Sequence, residues 1–376
     1  ESDLIYKYEE RVFEPDQLDS VNLATMIGAQ VALNYGLFCR RIIFHGAVDN
    51  IDQQFIRLMM ENTSREIFVK KFLEPNPFLL EGVKAMPLQV RDTYTQAEIE
   101  FTDATSEIDP DMWRVWPVDK RNISVLSSGG KDSLLSFGLL SELSGKSTSK
   151  SVREVHPIFC NESGRHWFTA LNAYRHFRDH VPNTGRVWLN SDRMFTWFLR
   201  HMPFIRKDFA DVRSDEYPIR LWTVAVFLFG VLPLLKKRGV GRLVIGDEFD
   251  TTVKASFKGI VHFDGLYDQS RFFDEAMSRF FMQKGWMVSQ FSILRPLSEI
   301  LIEKTLSQRY PELLKLQVSC HAAHKEEDRV RPCGRCEKCR RIVGMLTALD
   351  QSPQTCGYSN SQVAKSLREF VEKGIH

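Results

Sequence analysis

The chain of 376 residues is long enough for about two domains, and its 43% hydrophobic content can fill a sizeable core, which argues against disorder. Its 50 Lys and Arg residues nearly balance 48 Asp and Glu residues, so the net charge of +2 provides no basic field for sequence-independent nucleic-acid binding. The most apolar stretch, residues 221–235, is shorter than the ~20 residues of a membrane-spanning helix and predicts a buried helix. We therefore expect a globular protein of the cytoplasm that does not bind membranes.

The first 118 residues mix helical and strand patterns and contain neither a phosphate loop nor a cluster of metal ligands. Ser20 is the predicted N-cap of a first helix, residues 42–44 predict a short strand, and Asn50 is the predicted N-cap of a second helix. The segment 109–117 contains the turn-forming residues of a linker. We therefore predict a smaller α+β domain of unknown role over residues 1–118.

The pattern becomes regular after this segment. Strands are predicted at residues 123–126, 155–159, 186–189 and 243–245, with helices starting near residue 133 and covering residues 218–237. Strands that alternate with helices predict an α/β fold, a parallel sheet with helices on both faces and ligand sites at the carboxyl ends of its strands. We assign residues 119–310 to this domain and residues 311–376 to a C-terminal segment.

The most informative motif directly follows the first of these strands. It reads Ser127-Ser128-Gly129-Gly130-Lys131-Asp132-Ser133. The glycines can turn backbone N–H groups inward at a helix N-terminus, where phosphate binds well. Ser128 and Ser133 can add hydroxyl donors, and Lys131 either adds charge or faces solvent. Asp132 fits an anionic pocket only if a divalent cation lies between its carboxylate and the phosphates, so the motif predicts magnesium.

A second motif lies near the C-terminus, where the cysteines Cys320, Cys333, Cys336 and Cys339 fall within one short segment. Four thiolates at this spacing can close a tetrahedron around zinc and leave no coordination position for water, so we expect a structural zinc ion. An iron–sulfur cluster could use the same ligands, and His321 or His324 could replace one cysteine.

The loop from Ser128 to Ser133 resembles the SGGxDS signature of the N-type ATP pyrophosphatase, or PP-loop, superfamily. A Walker loop would need a longer spacing and a final Lys-Ser or Lys-Thr. The resemblance implies an adenine nucleotide alpha hydrolase-like fold, in which the loop holds the pyrophosphate that leaves when ATP is cleaved to AMP. It also implies that residues 127–133 bind ATP and that Lys131 and Asp132 take part in catalysis.

The loop and the cysteine cluster together are similar to the 7-cyano-7-deazaguanine synthase branch of that superfamily, over about residues 119–348. Between the motifs, Pro218-Ile219-Arg220 is similar to the Pro-x-Arg-Asn segment of that branch, although Leu221 stands where Asn is expected. The resemblance implies that Arg220 is catalytic and contacts the substrate or the alpha phosphate. An ordinary surface ion pair is the alternative for this arginine.

Two further segments extend the similarity. Asp247 and Glu248 follow the fourth strand, and Asp268 and Arg271 occupy the place of an Asp-x-Arg region. The resemblance implies that these four residues contact the substrate. A second magnesium ion is another ligand for Asp247 and Glu248, and a solvated acidic turn is the structural alternative.

The resemblance implies that ATP, with Mg²⁺, activates a substrate carboxylate by adenylation, with release of pyrophosphate and then of AMP, in a protein that also binds Zn²⁺. The expected partners are a small carboxylic acid, by resemblance a deazapurine, and ammonia or another amine. A protein substrate and a homodimer stay open. The added N-terminal segment and Leu221 suggest a paralogue with a changed substrate. The alternatives are another PP-loop chemistry, such as tRNA thiolation or carboxylate-activated epimerisation, and a nucleotide-binding partner without catalysis.

Overall fold

A computed structural model describes the protein over residues 3–83, 88–103, 113–144, 152–162, 164, 167–212, 216–263, 266–320 and 322–373. Residues 109–112 of the predicted linker and His321 lie outside this part of the chain. The strands are β1 (Tyr6–Tyr8), β2 (Arg41–Phe44), β3 (Glu98–Phe101), β4 (Asp119–Ser127), β5 (Glu154–Glu162), β6 (Gly185–Leu189), β7 (Val240–Val244), β8 (Lys254–Phe257), β9 (Ile260–Phe263), β10 (Ser289–Phe291), β11 (His324–Glu326) and β12 (Arg329–Arg331). The helices are α1 (Leu18–Ala32), α2 (Asn50–Ile67), α3 (Lys131–Ser144), α4 (Trp167–His180), α5 (Ser191–His201), α6 (Val224–Arg238), α7 (Arg271–Gln283), α8 (Glu299–Arg309), α9 (Pro311–Leu314), α10 (Glu337–Ala348) and α11 (Asn360–Lys373).

The main sheet of the described residues has six strands in the order β1-β6-β5-β4-β7-β10. Strands β6, β5, β4, β7 and β10 are parallel, and β1 runs antiparallel to β6 at one edge. The prediction of an α/β fold is confirmed, with a mixed and mostly parallel sheet. The chain moves outward from β4 through β5 and β6, and it then returns to the other side of β4 with β7. This reversal creates a crevice at the carboxyl ends of β4 and β7, where open α/β sheets bind their ligands.

Two hydrophobic cores cover the two faces of the sheet. One core joins α6 and α7 to residues of α1 and α2, and the other joins β4 and β5 to α3, α8 and α10. The apolar stretch predicted as a buried helix forms most of α6, whose residues from Leu228 to Leu235 are all buried. No helix in the described part of the chain is both long and apolar enough to cross a membrane.

The packing does not separate residues 1–118 from the sheet domain. Strand β1 pairs with β6 in the main sheet, and buried residues of α1 and α2 share one core with α6 and α7. Residues of the predicted C-terminal segment, such as Cys339 and Ile342, likewise belong to the core on the other face. The predicted boundaries at residues 118 and 310 therefore do not coincide with separate hydrophobic cores, because each segment buries its apolar face against the same sheet.

Three predicted helix starts need correction. Helix α1 begins at Leu18, so Ser20 lies inside its first turn, and the N-cap of α2 is Asp49, one residue before Asn50. Helix α6 begins at Val224 and leaves Arg220 in the segment before it, because the buried carboxylate of Asp268 accepts the N–H groups of Thr223 and Val224 at 2.9 and 2.8 Å. A distant carboxylate thus caps the helix, and local sequence does not reveal such a cap.

A buried ion cluster fastens the N-terminal segment to α7. Lys284, fully buried at the end of α7, donates to the carboxylates of Asp49 at 2.6 Å and Asp52 at 2.9 Å. The indole N–H of Trp113 donates to Asp49 at 2.9 Å, and the ammonium group lies 3.9 Å from the centre of its ring. Burial raises the pKa of Asp52 to about 6. Removal of the lysine would leave two buried carboxylates without their counter-ion.

We expect Lys284→Met to lower the free energy of unfolding by about 3–5 kcal/mol at pH 8, because methionine fills the space but leaves Asp49 and Asp52 unpaired. Lys237→Met, at an exposed position on α6, is the matched control and should stay within about 0.5 kcal/mol of the wild type. Urea denaturation followed by circular dichroism measures both values. Equal stability of the two variants would contradict the role given to this cluster.

Candidate functional site

A cavity of about 610 Å³ lies at the carboxyl ends of β4 and β7, where the order of the strands reverses. Its lining comes from the loop after β4, the segment after β7, the end of β5, the residues before α6 and the first turns of α10. Charged side chains dominate the deep part around Lys131, whereas Val224, Phe227 and Leu266 add apolar surface elsewhere. The cavity therefore combines a charged region with an apolar wall.

The predicted phosphate loop forms one wall of the cavity. Ser127, Ser128, Gly130, Lys131 and Asp132 contribute to the lining, and α3 begins at Lys131. Because the first N–H groups of a helix have no partner within the helix, they are available to an anion at this wall. The loop thus lies where a phosphate-binding loop needs to be.

The two remaining loop residues shape the loop instead of lining the cavity. Gly129 has φ of +73°, and a Cβ atom there would lie 2.6 Å from the carbonyl oxygen of Thr169 at the start of α4. The hydroxyl of Ser133 donates to the carbonyl of Gly130 at 3.1 Å. Glycine at 129 therefore permits both the turn and the close approach of α4, and Ser133 holds the turn closed.

Gly246 brings the end of β7 against the first turn of α3. A Cβ atom at this position would lie 2.7 Å from the Cβ atom of Asp132 and 3.1 Å from the backbone nitrogen of Ser133. No larger residue fits without moving one of these two segments. The following residues Asp247 and Glu248 are consequently held beside the phosphate loop, and both line the cavity.

Lys131 lies at the centre of the charged region and does not face solvent, since its side chain is only 7% exposed. Its ammonium nitrogen lies 2.8 Å from Asp132, 3.4 Å from Glu299 and 3.9 Å from Glu248. Burial opposes its charge, but the three carboxylates outweigh burial and raise the pKa of Lys131. The lysine therefore carries a positive charge that is shared among several carboxylates.

Burial disfavours the charged forms of two carboxylates near Lys131, Glu248 and Glu303. Burial, together with the charge of Asp132, raises the pKa of Glu248 to about 7. Burial also raises the pKa of Glu303, on α8, to about 7. In the described residues, no group of three acidic side chains comes close enough to form a ready cage for a cation. Mg²⁺ needs no such cage, because it commonly uses one or two carboxylates together with phosphate oxygens and water.

Arg220 also lines the cavity. Its guanidinium group donates to both carboxylate oxygens of Glu162 at 2.9 Å and lies 5.0 Å from the centre of the Phe195 ring. The hydroxyl of Ser191 donates to the same carboxylate at 2.8 Å. The side chain of Arg220 is only 15% exposed, so this is not an ordinary surface ion pair. Ser191, Glu162 and Phe195 together fix the orientation of an arginine that faces the cavity.

Two of the predicted substrate residues lie elsewhere. Asp268 caps α6 and is fully buried, and Arg271 lies on the surface of α7, where it faces Glu275 at 3.8 Å with a side chain that is 61% exposed. Neither contributes to the cavity lining of the described residues. The Asp-x-Arg similarity predicts that both residues contact the substrate. In the structure Asp268 instead caps α6, and Arg271 is the first residue of α7 with its side chain turned outward.

Asp247 lines the cavity, and its carboxylate has partners within the protein. Its carboxylate lies 3.4 Å from the guanidinium group of Arg295, which also contacts Asp274 at 2.6 Å. Burial raises the pKa of Asp247 well above its usual value. Asp247 therefore belongs to a buried polar network at the cavity wall and is not a solvated turn residue.

Several residues of the site had not been predicted from the sequence. Glu162, Ser319, Lys338 and Arg341 line the cavity. The position of Glu162 at the end of the strand beside β4 was a usable signal in the sequence. Parallel strands end at the same edge of a sheet, where ligands bind. Lys338 and Arg341 are three residues apart and therefore share one face of a helix. That face could not be assigned to the cavity without the tertiary structure.

The four predicted metal ligands come together. The sulfur atoms of Cys320, Cys333, Cys336 and Cys339 all lie within 4.8 Å of one another and could hold a metal ion such as zinc. The sulfur of Cys336 lies 3.6 Å from that of Cys320 and 3.5 Å from that of Cys339, and the sulfurs of Cys333 and Cys339 lie 3.9 Å apart. Zn–S bonds of about 2.3 Å in a tetrahedron place neighbouring sulfurs about 3.8 Å apart. The spacing therefore fits one tetrahedral ion and favours zinc over a cluster of several irons.

Among the described residues, His324 is not part of this ligand set. His324 lies in β11 and is exposed, opposite Arg331 in the hairpin formed by β11 and β12. Because four sulfurs already fill a tetrahedral site, no further ligand is needed.

No protein-family model matches the chain, and a search of curated proteins finds no significant match.

We expect the purified protein to contain one zinc ion per chain, because the four sulfurs fit one tetrahedral site. Elemental analysis measures the metal. Cys336→Ser should lower both the zinc content and the midpoint temperature of unfolding, since metal binding contributes free energy to folding. The control is Cys39→Ser, which changes a cysteine far from the cluster in sequence and should leave the zinc content unchanged. Iron with acid-labile sulfide, or a folded wild type without metal, would refute the zinc assignment.

We expect Glu303→Gln to stabilise the protein at pH 8 by about 1–3 kcal/mol and to have little effect at pH 5. The pKa of Glu303 is raised to about 7, so the folded state holds this proton between about pH 4.5 and 7, whereas the unfolded state has lost it. Stability consequently falls as the pH rises through that window, and glutamine removes this loss. The amide of Gln317 donates to Glu303 at 3.3 Å and can still do so in the variant.

The measurement is urea denaturation at both pH values. Glu312→Gln, at an exposed glutamate of α9, provides the matched control and should show no such pH dependence. A parallel pH dependence in Glu303→Gln and the wild type would show that Glu303 does not titrate as described.

Proposed function

We propose that this protein is an ATP pyrophosphatase of the PP-loop type that activates a substrate carboxylate by adenylation. The observation that carries the proposal is the position of the Ser128–Ser133 loop, at the N-terminus of α3 and at the wall of the cavity beside β4. Helix N-termini favour phosphate, and the reversal of strand order is where ligands bind in α/β sheets. The cavity of about 610 Å³ falls within the usual size range of sites for small ligands and cofactors.

In this proposal the loop N–H groups and Lys131 hold the beta and gamma phosphates of ATP. A carboxylate oxygen of the substrate attacks the alpha phosphorus, and the bond to the bridging oxygen breaks, so that pyrophosphate leaves. The product is a mixed anhydride of the substrate with AMP. Ammonia or another amine then attacks the carbonyl carbon, loses a proton, and expels AMP. Positioning and charge neutralisation supply the catalysis, which suits a site built from fixed backbone donors and cations.

Asp132 has the role of binding magnesium in this scheme. It lies in the first turn of α3, beside Lys131 and opposite Gly246. Glu248 and Glu299 lie on the same side of the cavity. A phosphate chain would meet several carboxylates here, so a divalent cation is needed to join the two sets of negative charges. The bound Mg²⁺ would polarise the phosphate oxygens and neutralise the leaving pyrophosphate.

Arg220 is the proposed contact for the substrate carboxylate or the alpha phosphate. Glu162 occupies one side of its guanidinium group, but the side chain still lines the cavity and retains further N–H donors. The apolar residues Val224, Phe227 and Leu266 can cover a flat heterocycle beside it. This combination is compatible with a deazapurine carboxylic acid, the substrate that the resemblance to 7-cyano-7-deazaguanine synthases suggests.

The competing functions have less support. Thiolation of tRNA by persulfide transfer would use reactive cysteines in the cavity, whereas partial burial raises the pKa of the half-buried Cys160 thiol there. A nucleotide-binding protein without catalysis would have no need for Asp132 beside the phosphates. A carboxylate-activated epimerisation shares the adenylation step and differs only in the later fate of the mixed anhydride.

We expect Asp132→Asn to abolish turnover and to leave the fold intact, because the amide cannot replace the carboxylate as a magnesium ligand. In the wild type the products should be AMP and pyrophosphate, with slow release until a suitable carboxylic acid is added. Chromatography of nucleotides with a pyrophosphate assay measures this reaction, and 7-carboxy-7-deazaguanine with ammonia is the first substrate to test. The control Asp250→Asn changes an acidic residue outside the cavity lining and should retain turnover.

Formation of ADP and phosphate would refute the proposal, as would normal turnover of Asp132→Asn. Stimulation by a different carboxylate or by a tRNA would keep the PP-loop assignment and remove the deazaguanine assignment. Gly130→Val provides an independent check. Gly130 lines the cavity, and a Cβ atom added there would come no closer than 3.5 Å to the hydroxyl oxygen of Ser128, so the protein should fold while nucleotide binding is lost.

A further inference from the structure

We infer that helix α10 forms a second wall of the phosphate site, and that the metal at the four cysteines holds it there. In this inference Arg341, assisted by Lys338, contacts the pyrophosphate part of the nucleotide. It rests on the proposed function, because it assigns residues to the leaving group of that reaction. The metal site and the nucleotide site then form one functional unit.

The order of residues along α10 links the two sites. Cys336 is the N-cap of this helix and Cys339 lies in its first turn. Lys338 and Arg341, on a neighbouring face of the same turns, line the cavity that contains the phosphate loop. A helix whose first turn is bound to a metal through two side chains cannot rotate about its axis without breaking that binding. The metal therefore sets which face of α10 the nucleotide meets.

A chain of ion pairs connects α10 to the loop. The guanidinium group of Arg341 lies 3.3 Å from the carboxylate of Glu299, and the same oxygen lies 3.4 Å from the ammonium nitrogen of Lys131. The side chain of Arg341 is 36% exposed, and its Nε atom is buried without a hydrogen-bond partner among the described residues. Arg341 lines the cavity with a partly exposed side chain, so its terminal nitrogens have room to move toward a ligand.

The charges of the cavity explain why α10 is needed. Among the described residues, five carboxylates and four cations line it: Asp132, Glu162, Asp247, Glu248 and Glu299, with Lys131, Arg220, Lys338 and Arg341. Arg220 is paired with Glu162, and Lys131 is shared among three carboxylates. Without α10, five carboxylates would line the cavity with only two cations, and those carboxylates that are ionised would repel a polyphosphate. The two cations of α10 largely restore the balance, and Mg²⁺ supplies the remainder.

Cys320, the first metal ligand in the sequence, makes a second link between the metal site and the cavity. Ser319 directly precedes Cys320 and lines the cavity. A Cβ atom at Gly130 would lie 3.8 Å from the hydroxyl oxygen of Ser319. The metal consequently fixes two separate segments on the side of the cavity that faces the phosphate loop. One carries the hydroxyl group of Ser319, and the other carries the cations Lys338 and Arg341.

The test measures binding of magnesium pyrophosphate and of AMP by calorimetry. We expect Arg341→Ala to weaken pyrophosphate binding by at least about tenfold and AMP binding by less than about threefold, since a charge-assisted contact to phosphate is lost. Lys338→Ala should weaken pyrophosphate binding in the same direction. Arg335→Ala is the matched control, because Arg335 is an exposed basic residue of the same cysteine segment and does not line the cavity. It should bind both ligands as the wild type does.

The outcomes distinguish the inference from the proposed function. If the wild type binds neither MgATP nor magnesium pyrophosphate, the proposed function and this inference both fail. The inference alone fails if the wild type binds both ligands and Arg341→Ala binds pyrophosphate as tightly as the wild type. It also fails if Arg341→Ala weakens AMP binding as much as pyrophosphate binding. Circular dichroism and zinc analysis of each variant confirm that fold and metal content are unchanged.

The link to the metal has its own readout. If the metal organises α10 for pyrophosphate, then bound pyrophosphate must in turn stabilise the metal site, because binding couplings are reciprocal. We expect magnesium pyrophosphate to raise the equilibrium affinity for zinc severalfold in the wild type, measured by competition with a chelator. Arg341→Ala, measured under the same conditions, corrects for zinc binding by pyrophosphate itself and should show no increase. Equal zinc affinity with and without pyrophosphate in the wild type would overturn the coupling.

Discussion

The close approach of the chain after β7 to the first turn of α3 is the constraint on which the cavity depends. With no side chain at Gly246, the backbone there can pack directly against Asp132 and Ser133. This contact joins β4 and β7 at their carboxyl ends, and residues of β5 and α10 line the cavity beside it. The loop after β4 gains a fixed acidic neighbour, Glu248, and the buried Lys131 between them compensates its charge.

Burial of charged groups at this site lowers the stability of the fold. Burial raises the pKa values of Asp247, Glu248 and Glu303 in and around the cavity, so the ionised form of each would be more stable in water. Such clusters persist when a ligand or a mechanism requires them, and perturbed groups in a cleft are typical of functional sites. The hydrophobic cores on both faces of the sheet and the buried cluster around Lys284 provide stability elsewhere. The proposed magnesium and phosphate would relieve part of the charge repulsion when they bind.

The first 118 residues have a structural role in this arrangement. They contribute an edge strand to the main sheet, and Asn34 of this segment accepts from the backbone N–H groups of Leu221 and Trp222 at 3.0 and 2.8 Å. These contacts fix the segment that carries Arg220, just before α6. The N-terminal segment thus helps to build the part of the cavity wall that contains Arg220, although no residue of it was a candidate for the site.

The sequence alone determined the α/β class, the phosphate-loop motif beside a strand and a helix, and the four cysteines, because each depends on residues that are close in the chain. Only the tertiary structure decided that residues 1–118 share the core of the sheet, that Asp268 caps α6, that Arg271 faces outward, and that α10 lines the cavity. These features depend on contacts between segments far apart in sequence, such as Asp268 with Thr223 or Arg341 with Glu299. The spacing of residues along one helix does not specify which distant surface a face of that helix contacts. Burial of apolar area and the charge balance of the whole molecule determine this contact.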